Sequence, residues 1–316
     1  MQSFDELLAC PRCRGPLVHL RCARCAVAYP APGGIPDLRL RDDRVEPVRT
    51  FYLQAPFPGY PPRDSLSSLR ARAGRSAFAQ LLDRSIDGDA AVLEIGCGTG
   101  QLSLFLATAE RRIVGADLSR RSLELAEDAR RRYGIESATF IETDLRSPGL
   151  RERAFDVVIA SGVLHHTPDP RASFAKLAQL ARPGGIVVVG LYNAFARIPS
   201  WLRRAVGRLS AFRFVPLDPV LRERRDDAPR REAWLRDQYQ HPEEHWHTLA
   251  EVQGWFFANG VEYLRTYPSA LLADEPDELF EPAVDNWRPE AWLAQVGWMR
   301  TLGREGGLFF TIGRRR

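Results

Sequence analysis

Three glycines in alternate positions end a short apolar run at Val92-Leu93-Glu94-Ile95-Gly96-Cys97-Gly98-Thr99-Gly100. Val92, Leu93 and Ile95 read as a buried strand, and a helical pattern begins directly behind the glycines in residues 101–107. A strand, a tight turn and a helix therefore follow one another without a spare residue. Glycine suits the turn because a Cβ would disfavour left-handed dihedrals and keep a ligand away from the backbone. The helix behind it points its free N–H groups at whatever sits over the loop.

Further short apolar runs alternate with helical patterns. Residues 113–117 end in Asp117, residues 138–142 precede Thr143-Asp144-Leu145, residues 155–160 lead into Ser161-Gly162-Val163-Leu164-His165-His166, and residues 186–191 follow a Pro-Gly-Gly turn. Strands alternating with helices at this spacing predict an α/β, doubly wound, parallel sheet, with ligands at the carboxyl ends of its strands. Asp117 lies 21 residues after Gly96. A carboxylate there suits two vicinal hydroxyls of a ribose, while capping of helix 122–132 by Asp117 or Ser119 is the structural alternative.

A dinucleotide fingerprint, G-x-G-x-x-G, would require glycine at 101, where this chain has Gln101. The pattern Glu94-x-Gly96-x-Gly98-x-Gly100 instead resembles motif I of the class I S-adenosylmethionine (SAM)-dependent methyltransferases of the type 11-like kind. The resemblance covers residues 80–192. It implies a Rossmann-like, seven-stranded, mostly parallel sheet and a SAM site in which Gly96, Gly98 and Gly100 wrap the methionine and ribose part. By the same resemblance Asp117 holds the ribose and Asp144 the adenine end, and Glu94, Cys97, Leu118, Leu145, Ser161 and Gly162 belong to the same cleft. Methyl transfer from a sulfonium needs mainly alignment of donor and acceptor. For a hydroxyl or an acidic carbon, a neutral imidazole is the natural base, and the candidates are His166 and then His165. Loop packing by the pair is the alternative.

Five cysteines divide into four and one. Cys10-Pro11-Arg12-Cys13 and Cys22-Ala23-Arg24-Cys25 are C-x-x-C pairs eight residues apart, the pattern of a closed tetrahedral structural zinc site, with iron in the same S₄ cage as a lesser alternative. Disulfides are disfavoured by the cytoplasmic location expected from an N-terminus that carries acid where a signal peptide carries base. Residues 7–38 are similar to the zinc ribbons of bacterial ribosomal RNA guanine methyltransferases, which brings an RNA substrate into view. A docking module for a protein partner is another use of such a ribbon.

The remainder carries no motif of named role. Lys176 is the sole lysine among 44 basic residues and the net charge is +4, a bias that fits a GC-rich genome better than a nucleic-acid surface. No apolar run is long enough to span a membrane. We divide the chain into a ribbon (1–39), a proline- and aromatic-rich linker or lid (40–65, with Phe51, Tyr52, Phe57 and Tyr60), and a methyltransferase domain (66–316) that opens with an amphipathic helix over 65–82. Within that domain, 193–247 is a cap insertion containing a basic amphipathic helix at 201–209, and 268–305 is a second insertion. Candidate acceptor contacts are Tyr52, Tyr192, Tyr239, His241 and Glu244. His241, His245 and His247 invite a metal, yet Pro242 interrupts the helix and H-E-x-x-H is absent. The expected function is SAM-dependent O- or C-methylation of a small-molecule or lipid-like acceptor. Methylation of an RNA base, with the ribbon docking the RNA, and a non-catalytic SAM-fold binding partner are the alternatives.

Overall fold

The computed structural model describes residues 4–40, 42–54, 56–57, 64–108, 110–270, 277–283, 288–302 and 306–316. The small strands β1 (Arg21–Cys22) and β2 (Val27–Ala28) pair antiparallel near the N-terminus. The main sheet contains β3 (Ala91–Ile95), β4 (Arg112–Asp117), β5 (Ala138–Glu142), β6 (Phe155–Ser161), β7 (Ala181–Tyr192), β8 (Val261–Tyr267) and β9 (Leu308–Arg315), in the order β5-β4-β3-β6-β7-β9-β8. The first five are parallel, and β9 runs antiparallel between β7 and β8. This is the seven-stranded, mostly parallel, Rossmann-like sheet expected. The order reverses at β3, so the glycine loop opens at the switch point, where such sheets bind ligands.

The central strands are largely apolar because helices cover both faces, with Glu94 of β3 and Asp156 of β6 as exceptions. All five residues of β3 are buried. One layer of core joins Leu93, Val158, Phe174 and Trp255, and the other joins Val92, Leu104, Phe140 and Leu123. The flanking helices are α3 (Ala77–Ser85), α4 (Gln101–Leu106), α5 (Arg120–Arg132), α6 (Pro170–Leu180) and α10 (Leu249–Ala258). Thr248 caps α10 by accepting from the Glu251 N–H. The helix expected over 65–82 is instead two, α2 (Leu66–Ala73) and α3. Gly74 ends the first and the Ser76 side chain caps the second by accepting from the Ala79 N–H, so a cap signal inside the apolar pattern overrides its periodicity.

The cysteine module does not stand apart. Leu7, Leu8, Leu17 and Leu38 share one core with Ile141 and Leu150. Leu38 N–H donates to Glu142 O at 2.8 Å, Glu142 N–H donates to Pro36 O at 2.9 Å, and Ala9 N–H donates to Gly149 O at 3.1 Å. Residues 36–38 thus extend the sheet beyond β5, whose open edge they cover. Arg39 and Arg120 hold the buried Glu142 carboxylate at 2.9 and 2.6 Å.

Two further layers lie over the carboxyl ends of the strands. Residues 46–54, expected as a linker with fixed turns, form helix α1 (Glu46–Gln54). Tyr60 and the proline run around it lie outside the described residues. The excursion after β7 contains α7 (Ile198–Leu209), α8 (Pro219–Glu223) and α9 (Ala228–Tyr239). Its two ends are pinned together: His247 N–H donates to Tyr192 O at 2.9 Å and Ala194 N–H donates to His247 O at 3.0 Å. Helix α11 (Arg288–Thr301) precedes β9, and its Gln295 accepts from Asn193 at 3.0 Å.

Candidate active site

The glycine loop, the ends of β4 and β6, α1 and α9 enclose a cavity of about 410 Å³. Gly96, Gly98 and Gly100 all have φ between +53° and +74°, so the turn is built from left-handed residues. At Gly96 a Cβ would lie 2.0 Å from Val163 Cγ2. Gly100 has another reason for its identity. It does not border the cavity, and a Cβ there would stand 2.8 Å from both Ala126 Cβ and Phe140 Cζ. A close approach between α4, α5 and β5 therefore requires glycine here.

Asp117 ties the loop to β4: Gly98 N–H donates to Oδ2 at 2.8 Å and Ser119 N–H to Oδ1 at 2.7 Å. Burial raises its pKa, while the N–H groups of Ser119, Gly98 and Leu118 oppose the shift. Ser119 caps α5, so helix capping and a ligand-facing carboxylate fall on neighbouring residues. Asp144 pairs with Arg146 at 2.8 Å on the cavity wall. Glu94, Cys97, Leu118, Leu145, Ser161 and Gly162 also border the space. Glu94 accepts a 2.5 Å hydrogen bond from Ser103 Oγ, and burial pushes its carboxyl up to about 7.

The two histidines separate. His166 borders the cavity, and its Nδ1 lies 2.7 Å from Glu243 O. A carbonyl only accepts, so Nδ1 carries the proton and Nε2 is left with a lone pair. Burial, and then His241 stacked at 3.6 Å, hold this imidazole neutral well below its usual pKa. His165 is turned away from the cavity and stacked on Tyr192 at 3.8 Å, with no hydrogen-bond partner for either ring nitrogen among the described residues.

Of the candidate acceptor contacts, Tyr52 and Tyr192 border the cavity. Tyr239, His241 and Glu244 do not. Tyr239 is buried and donates to Asp218. His241 lies behind His166, and Glu244 is bonded to the buried Arg197 at 2.9 Å through both oxygens. In the cap, Tyr239 and Glu244 are held by buried partners, whereas His241 Nδ1 lies 2.6 Å from Glu243 O and its buried Nε2 has no hydrogen-bond partner among the described residues. Sequence reading missed Asp237, Gln238 and Trp234, which reach the cavity from α9. Tyr52 OH donates to Asp237 Oδ1 at 3.0 Å, and Gln238 Nε2 reaches Asp237 Oδ2 at 2.9 Å and Tyr192 OH at 2.7 Å. Burial raises the Asp237 carboxyl to about 6. No spacing rule marks an acid in an insertion helix, so this residue had no local signal.

The four N-terminal cysteines converge. Their sulfurs all lie within 4.8 Å of one another, with Cys13 and Cys22 at 3.5 Å and Cys10 and Cys25 at 3.9 Å. Thiolates bonded to one tetrahedral zinc at about 2.3 Å stand roughly 3.8 Å apart, so the set fits such an ion. Cys97 is buried separately in the glycine loop.

Residues 93–187 match the family model described as a methyltransferase domain. This stretch of the chain is a methyltransferase domain. The chain is 34% identical over 125 residues to a ubiquinone biosynthesis O-methyltransferase of Cronobacter sakazakii, and 35% identical over 131 residues to that of Bordetella bronchiseptica. Each match spans 40% of this chain and 51% of the relative, so the chain covers about half the length of the curated relatives it matches. Among solved structures, magnesium protoporphyrin IX methyltransferase of Synechocystis with bound SAM aligns over 88% of this chain and 99% of its own, at 16% identity and a TM-score of 0.49. The matched residues hold the glycine loop, Asp117, Asp144 and His166. The ribbon, Tyr52 and Asp237 lie outside them.

Proposed function

We propose that the chain transfers a methyl group from SAM to a hydroxyl of a small, largely apolar acceptor held between the glycine loop and the cap. The observation that carries this reading is the placement of His166 and Asp237 on the wall of the cavity that Gly96, Gly98 and Asp117 also line. Glycines that leave the backbone bare, and a half-buried carboxylate at the end of β4, suit the methionine and ribose parts of SAM, and Asp144 with Leu145 the adenine end. Bound SAM supplies an electrophilic methyl on a sulfonium whose leaving group is built in.

The chain's own residues then have separable tasks. Neutral His166 receives the acceptor's hydroxyl proton on Nε2, so that oxygen meets the methyl as a stronger nucleophile. Asp237 and Tyr192 fix the hydroxyl's direction from the cap. Val48, Tyr52 and Phe57 line the lid side of the cavity, and apolar walls there favour in-line approach over hydrolysis. The same arrangement serves an acidic carbon in place of a hydroxyl. Integration of the ribbon into the sheet core supports a structural zinc rather than an RNA-docking arm. Four reduced thiolates suit a cytoplasmic location.

Calorimetric titration of metal-loaded protein with SAM, repeated on Asp117→Ala, tests the cofactor. Binding by the wild type that is lost in the variant supports it, and absence of heat removes the enzyme reading. A labelled-methyl assay against phenols, catechols and total RNA then tests the acceptor class, and label appearing in RNA alone would overturn the small-molecule reading.

A further inference from the structure

Helix α7 is amphipathic in the wrong direction for a helix that serves only to cover a core. At 100° per residue, Ile198, Trp201, Leu202, Ala205, Val206 and Leu209 fall within an arc of about 140°, and all six are exposed. Leu209 is 90% exposed and Trp201 52%. The opposite side holds Ser200 and Gly207, both buried, so the polar, small side faces the protein. Gly207 is there because Phe212 packs where its Cβ would be, at 2.9 Å. The apolar surface continues through Phe214 and Leu217, the latter 78% exposed. At the other end of the helix, exposed Trp292 sits edge-on to Phe195 at 6.0 Å.

Within this segment the charge is of one sign. Residues 194–217 contain five arginines and no acid. Arg197 and Arg204 turn inward to Glu244. Arg203, Arg208 and Arg213 make no side-chain ion pair or hydrogen bond among the described residues. An outward apolar stripe with an aromatic residue and an unneutralised cationic border is what an interfacial helix presents to a membrane. The helix has 12 residues, too few to span a bilayer, and among the described residues no helix is long and apolar enough to do so.

We propose that the outer face of α7, continued by Phe214 and Leu217, docks this chain on an anionic phospholipid surface. The apolar stripe enters the boundary between headgroups and acyl chains, and Arg203, Arg208 and Arg213 meet lipid phosphates. A second copy of the chain is the less suitable occupant, because a two-fold contact on this stripe would set the acid-free arginine border against itself. The inner side of the cap gives the docking a use. Helix α7 packs on α9, which carries Trp234 and Asp237 into the cavity, so a lipid-soluble acceptor would enter from the layer on which the cap rests. Only this last consequence rests on the proposed methyl transfer; the docking does not.

Co-sedimentation of the full chain with phosphatidylcholine vesicles, with and without about a third phosphatidylglycerol, tests the proposal. The wild type should pellet with the anionic vesicles at least tenfold more than with the neutral ones, and release as salt rises from about 0.1 to 0.5 M. Trp201→Glu with Leu209→Glu should abolish pelleting. Arg203→Gln, Arg208→Gln and Arg213→Gln together should weaken it by roughly fivefold per arginine. Both variants should keep the wild-type melting temperature, because every changed side chain lies outside the core. Wild type that stays in solution with anionic vesicles overturns the proposal, as does pelleting unchanged in both variants. A concentration-dependent dimer that Trp201→Glu with Leu209→Glu dissociates, without vesicle binding by the wild type, would assign the stripe to self-association instead.

Discussion

Tyr52 and Asp237, 185 positions apart in the chain, are joined by a 3.0 Å hydrogen bond from the phenol to the carboxylate across the cavity mouth. The bond links α1 to α9, alongside the ring contacts of Phe51 and Tyr52 with His241. Removing it with Tyr52→Phe leaves Asp237 its Gln238 partner, so the fold should lose no more than about 1.5 kcal/mol. Acceptor KM should rise about tenfold, with SAM affinity changed less than twofold. Equal losses in both affinities would mean that the lid serves the cofactor and not the acceptor.

His166 and His165 make opposite predictions despite being neighbours. His166→Gln should lower kcat by about a hundredfold or more, the range for loss of a general base, while leaving SAM titration intact. His165→Phe keeps a flat ring against Tyr192 and should retain most of the activity. Near-wild-type turnover in His166→Gln would return catalysis to positioning alone.

Glu94 gives a stability signature with a defined sign. Its carboxyl titrates at about 7 when folded against 4.5 ordinarily. The resulting stabilisation is fully present below about 4.5 and is lost as pH rises through about 7. Glu94→Gln keeps an acceptor for Ser103 but has no proton to lose. Its melting temperature in the SAM-free state should therefore gain on the wild type between about pH 5 and pH 8, by up to about 3 kcal/mol equivalent. Parallel melting curves across that range would place the Glu94 titration outside the window.

Removal of metal should be felt by the whole domain. Leu7, Leu8 and Leu38 belong to the core that contains Ile141 and Leu150, so a chelator or Cys22→Ser should lower the main thermal transition rather than add a separate one. Metal analysis should find zinc and chain in equal amounts. An unchanged main transition after complete metal loss would show that the cysteine knuckles are dispensable to the sheet.

Gly96→Ala and Gly100→Ala should differ in kind. Both place a side chain at positive φ, which disfavours each fold by about 1 kcal/mol or more. Gly96→Ala also drives Val163 toward the cavity and should abolish SAM binding. Gly100→Ala presses on Ala126 and Phe140, away from the cavity, and should appear chiefly as a lower melting temperature. Equal loss of SAM binding by folded forms of both variants would mean that the loop moves as one body.

What could be read directly from the chain is what neighbours in sequence determine. The run from Val92 to Gly100 carries its own strand, turn and helix, because apolar burial, positive φ and a free helix N-terminus are local requirements. The two C-x-x-C pairs likewise bring their own ligand geometry, and the alternation of strands and helices was enough for a parallel sheet. Asp117 and Asp144 were legible because parallel strands deliver their last residues to one edge. The other assignments depended on distant packing. Gly100 looks like its two neighbours until α5 and Phe140 are placed beside it, and His165 looks like His166 until one ring is found against Tyr192 and the other against the cavity. Residues 46–54 read as a linker because their aromatics have no partner nearby in sequence; α5 and the cap supply the partners. Asp237 became part of the site, and the stripe on α7 became an outer surface, only when the cap folded back from Asn193 to His247. Periodicity states that a helix has two faces. Which of them meets the protein is decided by the tertiary contacts.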